Sequence, residues 1–587
     1  MKSKNKILAV TAFAMLSLMG CNIDPILTDS YSEDVAWSNV DNLRLNLNGF
    51  YSLIGGYYGS EVENDACTDI LKMNGPRDSE NLFVFGSAPI TPAANPFNNW
   101  DNRHTWQLSC CRFLHNLAEH RGNFPESIAN EAEAEARFFR ALVNFDLAKR
   151  FGASFILHKE LPVMGEKNHA RCTPEECWDF IYEDLTFAAK YLPKRWDDAT
   201  KDPWGEATHT GRVTQGAAWG MLARAMLYAQ RWKDASDAAL EVKKLGYALY
   251  KNPSRPDKGY GELFMNRRSA RVDNNESIIE CGYSYDDEMD YSFDYFYCPP
   301  SDGGYAEASP TEDLVSAYEM ADGREFSWSD PTMKANPYVG REPRFYASVS
   351  FNGCVWSLLK NAETVDYKKD VEKQVNYYYG INTDGFSGTG VYLRSGIGIM
   401  KYVHPDDTNR KEIKPKADPA IRFAEILLIY AEALNELEEG ANYDVPSWDS
   451  STTYSIKRDI DEMKKGIRPI RRRAGVPDYD LETVYKSQDE FRKKMKKERQ
   501  IELMAEGQRY FDLRRWKDAE VEESKKNYGC NFYMSDSKDQ KEQFYTPIEI
   551  TDLPTAFSRK LYFWPISHEE LKRNKRLTQN PGWTYND

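Results

Sequence analysis

The stretch YSYDDEMDYSFDYFYCPPSDGGY, Tyr283 to Tyr305, interleaves aromatic rings with carboxylates. A carbohydrate needs that mixture: its apolar C–H faces stack on a ring, and its hydroxyl rim is satisfied by Asp, Asn, Arg or Gln on a shallow surface. A second reading is geometric. Tyr283, Tyr285, Tyr291, Phe293, Tyr295 and Tyr297 all hold odd positions, as one face of a strand hairpin would. For Tyr283 and Tyr285, beside SIIECG, packing in a strand is the better account. Beyond DDEMD the run CPPSDGGY stops any strand, so Tyr291, Tyr295 and Tyr305 fall on loop and become candidate rings for a ligand.

Three further positions join them. In PAANPFNNWDNRHTW, Trp106 opens a helix with Phe113 and Leu117 at helical spacing and reads as core. Trp100 lies in the Asn-rich loop just before and reads as free to face a ligand. Trp356 follows FNGCV. Arg77, in NGPRDSEN, is either a partner for a hydroxyl rim or acidic sugar, or a solvated surface charge.

Reaction chemistry has no comparable signature, and no catalytic, metal or cofactor residues are assigned. None of the 8 histidines forms H-E-x-x-H, and there is no G-x-S-x-G elbow, phosphate loop or dinucleotide loop; GFSGTG is only superficially similar. DDEMD lacks the spacing of an EF-hand. A carboxylate pair for glycoside hydrolysis stays open as an alternative, because its two members can lie far apart among 91 acidic residues.

These residues need a scaffold, and 587 residues at 41% hydrophobic content can bury a large one. With 76 basic against 91 acidic residues, the net charge of −15 argues against a nucleic-acid partner. MKSKNK supplies a basic start and ILAVTAFAMLSLM an apolar run too short to span a bilayer, as in a signal peptide over residues 1–20. LMGC, Leu18 to Cys21, resembles the bacterial lipobox, with acylation at Cys21; an ordinary secretory signal is the alternative. Residues 21–35 then read as acylated cysteine and tether. The most apolar later run, ILLIYAEAL, is flanked by Glu425 and interrupted by Glu432. Lipidation of one of 10 cysteines leaves an odd remainder with no C-x-x-C, so buried free thiols are expected, the adjacent Cys110 and Cys111 included.

Helical periodicity dominates the body. Asn130–Gly152 carries Phe138, Leu142, Phe145 and Ala148 on one face with a glycine stop. Thr173, Pro174 and Glu176 form a helix-start signature ahead of Trp178, Ile181, Leu185 and Ala188. Val213–Gly246 reads as two helices broken at AQRW, a tetratricopeptide-type hairpin, and Pro419–Gly440 gives another. Between Lys251 and Lys416 the period fades, with short strands expected in ESIIECGYSY and RFYASVSFNGCVW and loops between. The body is thus one unit, 36–587, in three parts: helical 36–250, loop-rich 251–416 and helical 417–587. In ERQIELMAEGQRYFDLRRW, Ile501, Met504, Phe511 and Trp516 are buriable. Glu502, Glu506, Arg509 and Arg515 read as structural charges within helical reach of one another or of capping positions. The NPGW near the end is a turn whose Trp583 packs.

Six segments, in order, resemble the RagB/SusD family of outer-membrane nutrient-uptake lipoproteins of Bacteroidetes: AEARFFRALVNFDLAKRFG, GRVTQGAAWGMLARAMLYAQRWKDA, SPTEDLVSAYEMADG with GREPRF, PAIRFAEILLIYAEALNE, ERQIELMAEGQRYFDLRRW and FWPISHEELKRNKRLTQNPGW. The resemblance implies a mostly α-helical, SusD-like fold with tetratricopeptide-like hairpins and a loop-rich region with a few short strands. It implies attachment through acylated Cys21 to outer-membrane lipid, facing the cell exterior. The implied partner is a SusC-like TonB-dependent transporter, to which a glycan, or for some members a peptide, is delivered without catalysis. The family's ligand aromatics come from loops of the kind that carry Tyr291, Tyr295 and Tyr305.

Overall fold

The computed structural model describes residues 33–54, 61–74, 90–93, 95, 99–196, 211–251, 259–265, 274–280, 297–299, 306–354, 393–403, 419–530, 546–551 and 557–584. Cys21 and the signal segment therefore lie outside the described residues. Helices dominate. The longer ones are α1 (Val40–Asn48), α2 (Trp100–His120), α3 (Glu126–Phe151), α4 (Pro174–Tyr191) and α5 (Gln215–Tyr228). They continue as α6 (Trp232–Lys244), α7 (Phe423–Glu436), α8 (Ile460–Arg473), α9 (Gln488–Glu502) and α10 (Arg509–Trp516).

Local signals account for many of their ends. Thr173 and Glu176 cap α4 reciprocally, the Thr173 hydroxyl accepting from the Glu176 N–H and the Glu176 carboxylate from the Thr173 N–H. Gly152 ends α3 at φ 85°, a left-handed conformation that costs a side-chain-bearing residue more. The expected hairpin at AQRW is the α5–α6 pair. From α2 to α8 each helix packs on the next in sequence, giving the stacked helix pairs of a tetratricopeptide-like scaffold. Gly466 lets α8 lie close on α7: a Cβ there would stand 2.6 Å from the Leu427 carbonyl oxygen.

The strands are short and pair two by two, all antiparallel. β1 (Leu71–Met73) pairs with β3 (Ala308–Pro310), β2 (Ser277–Glu280) with β6 (Pro419–Arg422), and β4 (Val349–Ser350) with β5 (Gly398–Ile399). β7 (Asn442–Pro446) and β8 (Thr453–Lys457) form a hairpin, and β9 (Tyr528–Cys530) pairs with β10 (Pro547–Glu549). Two expectations are corrected. RFYASVSF is not a strand throughout: Pro343 starts a short helix, Pro343–Ser348, before two strand residues. PAIRF opens as β6 rather than as helix, because Arg422 must reach carboxylates beside β2.

One apolar core runs through the helical stack, and a second gathers Leu71, Met73, Phe264, Phe345, Ile399 and Tyr402 with Ile501 at the end of α9 and Met504 just after it. Charges placed inside apolar helices are paired. Arg224 of α5 binds Glu425 of α7 at 2.7 Å, and Arg140 of α3 binds Asp184 of α4 at 2.7 and 2.8 Å. The described cysteines are free thiols, Cys110 and Cys111 buried among them. Among the described residues no helix is long and apolar enough to cross a membrane.

Between the two cores lies a lattice of buried ions built on the last turn of α9. Glu502 accepts from Arg344 at 2.9 Å, from Arg422 at 2.7 Å and from Arg473. Glu498 accepts from Arg344 at 2.7 Å and Arg471 at 2.9 Å, and Glu506 from Arg422 and Lys401, each at 2.7 Å. Arg422 also binds Glu276 at 2.8 Å. Burial alone would raise the Glu502 carboxyl, but the three arginines outweigh it and hold it well below the ordinary carboxylate range. Removing one partner leaves the others charged in a desolvated site. Glu502→Ala is therefore expected to cost about 3–5 kcal/mol of stability, seen as a lowered guanidinium midpoint. Lys486→Ala, breaking the exposed pair with Glu482, should leave that midpoint unchanged.

Candidate functional site

Trp100 does not face a ligand. It is the first residue of α2 and 1% exposed, its ring edge-on to Phe151 at 5.0 Å and tilted against His104 at 4.3 Å. The helix begins six residues before Trp106 because the Asn99 side chain donates to Asp146 of α3 at 3.0 Å, drawing the turn onto the scaffold. Trp106 is half-buried against the core with Phe113 and Leu117, as expected. Arg77, Tyr291, Tyr295, Tyr305 and Trp356 lie outside the described residues. The described residues that flank them show how their segments are held.

Asn74 is the meeting point. It directly follows β1 and is fully buried, three residues before Arg77. Its N–H donates to the Glu307 carbonyl at 2.6 Å, and its side-chain amide donates to the Ala306 carbonyl and Ser309 Oγ, both at 2.7 Å. Its Oδ1 accepts the Arg394 N–H at 3.0 Å, and Arg394 Nε returns to the Met73 carbonyl at 3.2 Å. Ala306 directly follows Tyr305, and its N–H donates to the Cys298 carbonyl at 3.0 Å, closing the base of that segment. Arg394 stands just after segment 355–392, whose first residues include Trp356. The start and return of that segment are held together by β4–β5 and by Met400 N–H on the Ser348 carbonyl at 2.9 Å. Three chain segments bearing candidate residues thus share one hydrogen-bonded base.

The base is itself tied to the ion lattice. Thr311, after β3, donates to the Asp69 carbonyl at 2.5 Å, and the Asp69 carboxylate binds Arg509 of α10 at 2.7 and 2.9 Å. Asp65 accepts the N–H groups of Gly507 and Arg509, each at 3.0 Å. Several groups here titrate near neutrality. Burial pushes Glu312 up to about 7, against hydrogen bonds from Ser316 and the Trp328 indole. Burial also pulls Lys72 down to about 8, its Nζ donating to the Thr68 carbonyl at 2.5 Å. Among the described residues no cluster of three or more His, Cys, Asp or Glu is arranged to hold a metal ion. The arrangement positions loops.

Sequence reasoning missed Asn74 and Arg394, which carry no motif. It also placed the partners of Glu502 and Glu506 within helical reach, whereas Arg344 and Arg422 come from elsewhere. The available signal was a charge inside an apolar run, as in PAIRFAEILL, which must be paired when buried.

Residues 266–583, more than half the chain, match the family described as "SusD family". The chain belongs to the SusD family. Residues 42–227 match a second description, "Starch-binding associating with outer membrane". "SusD-like protein P2" of Formosa agariphila is 22% identical over 475 residues, covering 78% of this chain and 76% of that protein. A solved SusD-like protein from Bacteroides fragilis superposes with a TM-score of 0.72 at 24% identity, covering 94% of this chain and 99% of that one. A SusD-like carbohydrate-binding protein from the same organism gives 0.72 at 22% identity, covering 92% and 99%. The mostly helical SusD-like architecture expected from the sequence is therefore the one observed.

Two measurements probe the base of the loops. Asn74→Ala leaves buried carbonyl and amide partners unsatisfied and is expected to cost about 1–3 kcal/mol in chemical denaturation. Glu312 has a raised folded pKa, so its stabilising contribution is present below the ordinary carboxylate range and is lost as pH rises through about 7. Glu312→Gln should therefore match wild type near pH 5 and exceed it by roughly 2 kcal/mol near pH 8. Parallel pH profiles for the two proteins would show that this carboxyl does not titrate there.

Proposed function

We propose that this SusD-family chain is a cell-surface glycan-binding lipoprotein. It captures an oligosaccharide or polysaccharide by stacking and hydrogen bonding and delivers it to a SusC-like TonB-dependent outer-membrane transporter. Residues 1–20 are its signal peptide and Cys21 its acylated anchor; two or more acyl chains make such attachment durable. Binding involves no covalent step. The observation that carries the reading is the common base at Asn74, from which the segments bearing Arg77, Tyr305 and Trp356 leave or return. A rigid scaffold that gathers loops rich in aromatic and polar residues is a usual way to build a binding surface. The likeness to a SusD-like carbohydrate-binding protein of Bacteroides fragilis supports the same ligand class.

Binding is tested by retardation of the full-length lipoprotein in gels cast with starch, laminarin, xylan or galactomannan. Retardation by one polymer, weakened in Tyr295→Ala and Trp356→Ala and without release of shorter products, is the expected result. Product release would instead make the protein a glycoside hydrolase, and retardation by none of them would favour peptide cargo. The delivery role is tested separately: purification from solubilised outer membranes is expected to bring down a large β-barrel protein, and its absence sinks that role.

A further inference from the structure

The start of α4 carries two cysteines that take no part in the loop base. Thr173 is the cap, so Cys172 stands one residue before it and Cys177 at the fourth helical position, the two places whose side chains meet across a capped helix start. They meet here. Cys177 is fully buried in the helical core, and the half-buried Cys172 packs against that core. The Cys177 thiol hydrogen-bonds to the Cys172 sulfur. The adjacent Cys110 and Cys111 make no such pair, because neighbouring positions on a helix point about 100° apart.

The backbone fixes Cys172 in that position. Its N–H donates to the Phe155 carbonyl at 2.8 Å, and its own carbonyl accepts from Ser154 Oγ at 2.7 Å. Arg171, just before it, donates to the carbonyls of Ser154 at 2.6 Å and Thr578 at 2.9 Å and to Asn580 Oδ1 at 2.5 Å, so this junction also docks the C-terminal turn. Packing alone is a thin reason for two thiols here, since bulkier apolar side chains at the same positions bury more surface. What thiols add is chemistry. The hydrogen bond from Cys177 outweighs burial and pulls the Cys172 thiol down to about 7, while Cys177, the donor, is held well above the ordinary thiol range. The half-buried member is therefore the one that supplies a thiolate near neutral pH, the form that attacks a disulfide.

We propose that Cys172 and Cys177 are a modification site, joined as a disulfide in the exported protein, which staples the start of α4 to the chain that enters it. The inference rests on the export reading above, because disulfides persist outside the reducing cytoplasm. The oxidant is a disulfide-bearing exchange partner. The Cys172 thiolate attacks one of its sulfurs, forming a mixed disulfide and expelling the other sulfur as a thiolate. Cys177 then gives up its proton and its sulfur attacks Cys172, which releases the partner's second sulfur. The protons of both cysteines end on the partner's two sulfurs, and the partner takes both electrons.

The test uses the full-length protein from cells lysed in N-ethylmaleimide, fractionated and digested with trypsin. Cys172 follows Arg171 and the next basic residue is Lys190, so both cysteines fall in one peptide, residues 172–190, which holds no third. In the outer-membrane fraction that peptide is expected unlabelled and lighter by two hydrogens, and doubly labelled only when reduction precedes the maleimide. Double or single labelling without reduction, in protein found in the outer membrane, overturns the disulfide and leaves the lipoprotein reading standing. If the protein is instead found in the cytoplasm, the lipoprotein reading falls and the purified reduced chain decides: bridging of the peptide by glutathione disulfide supports the site, and no bridging overturns it. The staple itself is read by melting. Dithiothreitol should lower the melting temperature of the bridged wild type by about 2–4 °C and leave Cys172→Ser unmoved. An unmoved wild type, or equal shifts in the two proteins, overturns the staple.

Discussion

The constraint on which the structure turns is that three carboxylates on and just after one helix, Glu498, Glu502 and Glu506, must meet their cations away from water. No neighbour on the same helix supplies all of these partners. The helix before β4 gives Arg344, β6 gives Arg422, α8 gives Arg471 and Arg473, and the turn after β5 gives Lys401. Satisfying one carboxylate therefore fixes the relative positions of several elements. Each strand pair is too short to hold itself, and the lattice supplies geometry that the sheets do not.

Specificity of arrangement, more than strength, is what such a lattice contributes. Desolvating so many charges offsets much of their mutual attraction, and apolar replacements of similar volume would often be as stable. An apolar cluster, however, would tolerate sliding of β4, β6 and α8 over α9, whereas directional guanidinium–carboxylate contacts, bidentate between Arg422 and Glu506, tolerate little. The loop base at Asn74 inherits that precision through Asp65, Asp69 and Arg509. The scaffold is thus exacting at the base from which the loop segments leave.

Much of this was legible in the sequence wherever the determinant is local. The Thr173–Glu176 capping box, the break between α5 and α6 at AQRW and the Gly152 stop each depend on residues a few positions apart. The failures share the opposite property. Trp100 was read as loop because nothing near it announces a helix start; the decisive bond runs from Asn99 to Asp146. PAIRF reads as helix by periodicity and becomes strand because Arg422 is committed to Glu276, Glu502 and Glu506. The same applies to the base of the candidate site, since one asparagine joins residues 74, 306 and 394.

The order of residues along the chain gives the ion lattice a consequence for biogenesis. Arg344, Arg422, Arg471 and Arg473 all precede Glu498, Glu502 and Glu506. A polypeptide emerging amino terminus first exposes those guanidinium groups before these acceptors exist. The helices up to α6 match some of their buried charges within that part, such as Arg140 with Asp184 and Arg212 with Glu135, whereas Arg224 of α5 finds Glu425 only when α7 follows. The loop-bearing half has to wait for α9 to arrive. A chain truncated before α9 would lack the carboxylates that Arg344, Arg422, Arg471 and Arg473 bind.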